Sequence, residues 1–263
     1  MTDVAVVTGG SSGIGLCTCL SLCKKGIKVY ELSRRESKVE GVTHITADVT
    51  DEKAVRDAIE KVIDIEKHID ILVCNAGFGI SGAAELTKSE DAHKQMEVNL
   101  FGADNAIKAV LPYMREQKKG RIICISSIAG ILPIPFQLWY SVSKSAIISY
   151  VLALQNEVRP FNIFVTAVLP GDIKTGFTEA RQKDDDTLGV YSQRLSRSVA
   201  SMEHDEQNGM SAEFAGNFVA KYAVKKKSKP IVSMGFSYRL IAVLSKILPR
   251  RFSNFVVGKL YAK

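Results

Sequence analysis

The stretch Val4-Ala5-Val6-Val7-Thr8-Gly9-Gly10-Ser11-Ser12-Gly13-Ile14-Gly15 decides how the rest of this chain is read. A short valine-rich run reads as a buried strand, and the glycine-rich turn behind it opens directly into a helix. Between a strand and a helix the glycines have distinct tasks. Gly9 permits the tight turn, Gly13 lets the backbone approach a pyrophosphate, and Gly15 lets the helix pack closely on the strand. The N-terminus of that helix favours the negative charge of a phosphate.

Outward from this turn, β-rich runs alternate with helical patterns. The runs are Val4 to Val7, Lys28 to Leu32, Thr43 to Ala47, Ile71 to Cys74, Arg121 to Ser126, Ile163 to Leu169 and Ile231 to Ser233. Between them, Ile59, Ile63 and Glu66, or Ala106, Val110 and Met114, recur at helical spacing. The alternation predicts an α/β fold: a doubly wound parallel sheet of Rossmann type, about seven strands with helices on both faces, binding ligands at the strands' carboxyl ends. A chain of 263 residues, 46% hydrophobic, suits one domain spanning 1–263. Residues 176–210 break the rhythm, being polar and holding the run Asp184-Asp185-Asp186. They are expected to form a mobile lid loop over the substrate site, with a plain surface insertion as the alternative. Ser211, ahead of Ala212 and Glu213, is the expected N-cap of the next helix.

Composition narrows the classes. The chain starts almost at once on a strand, so no signal sequence is expected, and it lacks the run of about 18 apolar residues that crosses a bilayer. A cytoplasmic protein is the expectation. Cys17, Cys19, Cys23, Cys74 and Cys124 are an odd set with no histidine nearby, so they read as reduced small hydrophobes and no metal site is expected. The net charge of +7 conceals an asymmetry. Residues 1–213 hold all 28 acidic groups against 24 basic ones, whereas the last fifty residues hold eleven basic groups, from Lys221 to Lys263, and no acid.

Tyr140 and Lys144 stand four residues apart, which on a helix puts phenol and ammonium on one face. An ordinary tyrosine titrates near 10, so acid/base work near neutrality needs about 4 kcal/mol of preferential phenolate stabilisation, much of which a neighbouring ammonium can supply. Ser127 lies thirteen residues before the tyrosine. Taken singly, Ser127 reads as a strand-end turn residue, Asn99 as a helix cap and Lys144 as a solvated charge. Their order and spacing together say more.

That ordered set resembles the short-chain dehydrogenase/reductase family. Thr8, Gly9, Gly13 and Gly15 match its TGxxxGxG, Asn75-Ala76-Gly77 its NAG, Asn99 its structural asparagine, Ser127 its serine, Tyr140 and Lys144 its YxxxK, and Pro170-Gly171 its PG motif. The match runs from the first strand to about residue 175, and the region after NAG together with the tail is similar to the 17β-hydroxysteroid dehydrogenase-like group. The resemblance implies an enzyme that interconverts a secondary alcohol and a ketone by hydride transfer, as a homodimer or homotetramer. Tyr140 would be the general acid/base, Lys144 would lower its pKa and hold the nicotinamide ribose, Ser127 would hydrogen-bond the carbonyl oxygen, and Asn99 would support a water linking Lys144 to solvent. Cofactor contacts are implied for Gly9, Ser11, Ser12, Gly13, Ile14, Gly15, Ser33, Arg34, Asp48, Val49, Asn75, Ala76, Gly77, Tyr140, Lys144, Pro170, Gly171, Ile173 and Thr175. Asp48 and Val49 fall at the adenine, and Thr175 at the nicotinamide amide or the phosphates. A non-catalytic dinucleotide-binding regulator is the alternative from another class.

The end of the second strand speaks to the cofactor. An acid there would bind the ribose diol of NAD, but Ser33 occupies the position, followed by Arg34, whose guanidinium suits a 2′-phosphate. NADP(H) is therefore expected; Glu31, two residues earlier, should still lie within the strand.

Ile131-Leu132-Pro133-Ile134-Pro135-Phe136-Gln137-Leu138-Trp139 would wall the substrate cleft in this fold, and core packing is the competing reading. A lipophilic substrate, a hydroxysteroid or ketosteroid first, is the expectation, with a small ketone, an acyl group or a retinoid as alternatives. In the basic amphipathic extension at 236–263, Leu240, Val243, Leu244, Ile247 and Leu248 precede Pro249-Arg250-Arg251 and a second apolar set, Phe252, Phe255, Val256 and Leu260. A lid helix, a subunit interface and peripheral membrane contact compete as its role. No nucleic-acid module is present, so nucleic acid is not expected as a partner.

Overall fold

The computed structural model describes residues 2–36, 38–184, 186–225 and 227–262; Asp185, Lys226 and Lys263, counted above, lie outside the described residues. β1 (Val4–Thr8) runs into α1 (Gly13–Cys23), then β2 (Lys28–Ser33), β3 (Val42–Thr46), α2 (Glu52–Glu66) and β4 (Ile71–Cys74). A short β5 (Ile80–Ser81) precedes α3 (Ser89–Met96), a wide π-helical turn (Glu97–Phe101) and α4 (Gly102–Glu116). The second half holds β6 (Gly120–Ile125), α5 (Leu138–Val158), β7 (Ile163–Leu169), β8 (Ile173–Lys174), α6 (Phe177–Ala180), β9 (Gln182–Lys183), α7 (Ser192–Gln207), β10 (Met210–Ser211), α8 (Ala212–Ala223), β11 (Ile231–Ser233), α9 (Phe236–Ile247) and α10 (Arg250–Tyr261).

Among the described residues the main sheet has seven parallel strands in the order β11-β7-β6-β4-β1-β2-β3. This is the expected doubly wound fold. Its strands are covered on both faces, so β1 is buried throughout and shows no apolar/polar alternation. On one face Val55, Ile59 and Val62 of α2, Val110 and Met114 of α4 and Val151 of α5 pack on Val4, Val6, Leu72 and Ile122. On the other, Cys19 and Leu22 of α1 and Ala215 and Val219 of α8 pack on Ala5, Val7, Val29 and Ile123. Cys19, Cys74 and Cys124 are buried in these two layers as small apolar side chains. The strand order reverses between β1 and β4, which opens a crevice at their carboxyl ends.

The expectation of a loop at 176–210 needs correction. Residues 176–210 are not a loop: α6, β9 and α7 occupy most of the segment. Its polarity concealed the helix because α7 buries only a narrow stripe, Leu195, Ser198 and Met202, and turns the rest to water. Two small parallel ribbons, β5 with β9 and β8 with β10, stitch this segment to the body. Ser211 caps α8 as expected, accepting from the Phe214 amide at 3.1 Å. The extension is two helices, broken where Pro249 forces Leu248 into extended backbone. No helix among the described residues is long and apolar enough to cross a membrane.

Candidate active site

A cleft of about 1,010 Å³ lies at the carboxyl ends of β1, β4, β6 and β7, the position that the strand reversal creates. Its floor at one end is the glycine turn, where Gly9 and Gly13 take φ of +64° and +53°, which other residues rarely adopt. Gly15 serves packing: a Cβ there would stand 2.2 Å from the Gly9 carbonyl oxygen and 2.4 Å from Asn75 Nδ2. Asn75 bridges the strands by donating to the carbonyls of Thr8 (3.2 Å) and Gly9 (3.0 Å), while Thr8 Oγ1 accepts from the amides of Asn75 and Ala76. Ser33, Arg34, Asp48 and Val49 line the cleft beside this turn together with Arg35 and Glu36, because β2 pairs with β1, and Arg34 stands 3.9 Å from Asp48. Glu31 is absent from that wall: it is fully buried within β2 and paired with His44.

Ser127, Tyr140 and Lys144 meet in the lining of the cleft. Ser127 ends the β6 connection by capping a single 3₁₀ turn, its Oγ accepting from the Ala129 amide at 3.1 Å. Tyr140 and Lys144 stand on successive turns at the start of α5, with the ammonium 5.7 Å from the centre of the phenol ring. Lys144 is buried and donates to the Ile125 carbonyl at 2.9 Å. Phe177, from α6, packs against the phenol with ring centres 5.8 Å apart.

The electrostatics depart from the sequence expectation. Tyr140 is not pulled down; burial pushes it up to about 12, against a hydrogen bond from Ser127 that acts the other way. Burial likewise pushes Lys144 down, to about 8. Desolvation outweighs the mutual effect that the four-residue spacing suggested.

Gly9, Ser11, Ser12, Gly13, Ile14, Ala76, Gly77, Pro170, Gly171, Ile173 and Thr175 line the same cleft. Gly15 and Asn99 do not. Asn99 is buried behind the wall in the π-helical turn, not at a helix cap, and its amide grips both backbone groups of Phe78 and the Ser143 hydroxyl, each at 3.0 Å. It therefore sets the loop beside Lys144; π turns of this kind recur at functional sites. Sequence reasoning missed a polar group lining the cleft. Asp172 accepts from Tyr238 of α9 at 2.5 Å, and Glu206 of α7 accepts from Thr178 at 2.6 Å and pairs with buried Arg181. Asp172 directly follows the Pro170-Gly171 motif and could have been suspected from that. Nothing local marks Glu206 or Tyr238, which helices distant in sequence carry in.

The sequence pattern of the short chain dehydrogenase family matches residues 3–186. The chain belongs to that family. As a family member it is an oxidoreductase of the fold that binds NAD(P), working between hydroxyl and ketone. It is 39% identical to a 3-ketodihydrosphingosine reductase of Bacteroides thetaiotaomicron, over 99% of this chain and 98% of that protein. Among solved structures it is similar to a short-chain dehydrogenase from Streptomyces avermitilis, with a TM-score of 0.83 and 25% identity, covering 94% of this chain and 93% of the other. It is also similar to ElxO with NADP bound, with a TM-score of 0.76 and 27% identity, covering 91% of this chain and all of that one.

The buried lysine gives a pH-dependent stability. Lys144 falls from an ordinary 10.5 to about 8 on folding, so between those values the unfolded chain binds more protons and stability rises with pH. Relative to Lys144→Met, the unfolding free energy of the native chain should climb by about 3 kcal/mol from pH 8 to pH 10.5 in denaturant titrations. A difference independent of pH would contradict the burial argument.

Proposed function

We propose that this protein is an NADP(H)-dependent reductase of a ketone on a long-chain lipophilic substrate, with Tyr140 as proton donor. The observation that carries this reading is the meeting of Ser127, Tyr140 and Lys144 in one cleft with the glycine turn and the apolar side chains Leu132, Ile134, Phe177 and Ile241. The residues fit a dinucleotide: Gly13 bears no side chain where the turn faces the cleft, and a serine and two arginines end β2 where a 2′-phosphate would lie. When bound, NADPH supplies the hydride. Tyr140, protonated throughout the neutral range, donates to the ketone oxygen, and the Ser127 hydroxyl steadies the charge on that oxygen. Lys144 is still mostly charged at pH 7 and stabilises the phenolate left behind. A phenol held above 10 favours reduction, because alcohol oxidation would begin from the phenolate.

The 39% identity to a 3-ketodihydrosphingosine reductase supports a long-chain amino ketone as substrate. Asp172, on the same cleft as Tyr140, would attract an amine near the ketone and repel a carboxylate, while the charge of Glu206 is offset by Arg181. A ketosteroid, the expectation from the tail's resemblance, belongs in the same test. NADPH and NADH oxidation should be measured against 3-ketodihydrosphingosine, a ketosteroid, a 3-oxoacyl thioester and a small ketone. Fastest turnover is expected for the long-chain amino ketone with NADPH; a preferred ketosteroid would displace the substrate assignment, and preferred NADH the cofactor assignment. Arg34→Asp should lower NADPH affinity by about 10–100-fold and leave NADH little affected, since the lost charge-assisted bonds contact only the 2′-phosphate. The homo-oligomer implied by the family resemblance is tested by light scattering of the native chain.

A further inference from the structure

The C-terminal helix pair divides its side chains between two directions. Inward, Tyr238, Ile241, Val257 and Tyr261 line the cleft, with Leu260 at its exposed rim, and Tyr261 donates to Asp205 of α7 at 3.1 Å. Outward, Phe236, Ile247, Phe252 and Phe255 are 83%, 73%, 52% and 60% exposed, with Leu240 beside them at 51%. Soluble surfaces seldom display so many large apolar side chains on one short hairpin without something to cover them. Arg239, Lys246, Arg250, Arg251 and Lys259 lie on the same two helices, and residues 236–262 contain no acid. None of these five cations forms an ion pair with a carboxylate among the described residues.

We propose that the outer face of α9 and α10 docks on an anionic lipid bilayer, with the cleft opening beside it. Charge and apolarity decide between occupants. Basic groups flanking exposed phenylalanine, leucine and isoleucine match a surface that is negative at its headgroups and apolar beneath them. A second copy of the chain would bring two such basic faces together without an acid between them. Nucleic acid would complement the cations and leave the apolar residues in water. Because the inner faces of the same helices wall the cleft, docking would place the substrate pocket next to the membrane that dissolves a lipid ketone. That consequence rests on the proposed function, whereas the docking face itself does not.

The test uses the full chain with phosphatidylcholine vesicles, with and without phosphatidylserine, and a variant carrying Ile247→Glu, Phe252→Glu and Phe255→Glu. All three positions are exposed and none lines the cleft, so reduction of a water-soluble ketone should be unchanged. The native chain should co-sediment with the phosphatidylserine vesicles and be released by salt, and the variant should bind them roughly tenfold less or weaker still. Turnover of a long-chain ketone presented in those vesicles should fall with it. No binding by the native chain, equal binding by the variant, or a native oligomer that the variant dissociates would each overturn the docking face. Vesicle binding without reduction of any ketone would uphold it and reject the reductase reading instead.

Discussion

Tyr140→Phe is expected to lower NADPH-dependent ketone reduction by about 10³–10⁴-fold while leaving NADPH affinity close to that of the native chain. The substitution deletes one hydroxyl. It removes the donor that Ser127 orients, and it keeps the ring that packs against Phe177 and lies 5.7 Å from the Lys144 ammonium. The two readouts separate chemistry from assembly, since a folded variant that binds cofactor normally and turns over slowly has lost the proton donor alone. Activity within tenfold of the native chain would remove Tyr140 from the mechanism. The pH dependence makes a second check. Tyr140 stays protonated to about 12, so reduction should hold level through neutrality and decline as Lys144 loses its charge near 8. A profile that instead rose through that range would assign the working form to the phenolate.

Gly15→Ala is expected to damage both fold and cofactor binding. The new Cβ would meet the Gly9 carbonyl oxygen at 2.2 Å and Asn75 Nδ2 at 2.4 Å, and neither can retreat cheaply. Gly9 is backbone within the turn, and Asn75 is committed to the carbonyls of Thr8 and Gly9. Such overpacking costs about 1–3 kcal/mol or more, here concentrated on the turn that would hold the pyrophosphate. Calorimetric melting and NADPH fluorescence titration would read the two losses. Gly26→Ala is the control: its site is open within 4 Å and lies outside the cleft, so only the strain of φ +76° should appear, with NADPH affinity unchanged. A Gly15→Ala protein with native melting temperature and native affinity would refute the close-packing role.

The residues themselves announced the glycine turn, the seven parallel strands, the Ser127, Tyr140 and Lys144 group and the exclusion of Glu31 from the cleft. The turn, the strands and the Tyr140–Lys144 pair rest on short-range causes, a left-handed φ that glycine alone tolerates well, an apolar period and a four-residue spacing on one helix, whereas Ser127 joined the pair through the family resemblance. Tertiary structure decided the remainder. The segment at 176–210 became helix because α7 found a surface for Leu195 and Met202, which its polar sequence did not advertise. Tyr140 and Lys144 moved away from each other in acidity because both are desolvated, and desolvation depends on everything packed around a group. Asp172 meets Tyr238, sixty-six residues later, and Glu206 meets Thr178, twenty-eight earlier, through contacts that no local pattern encodes. So the sequence by itself determined the fold and marked Ser127, Tyr140 and Lys144 as the candidate reacting group. The packing of distant helices determined how acidic that group is, what charge faces it, and which side of the C-terminal hairpin is left to water.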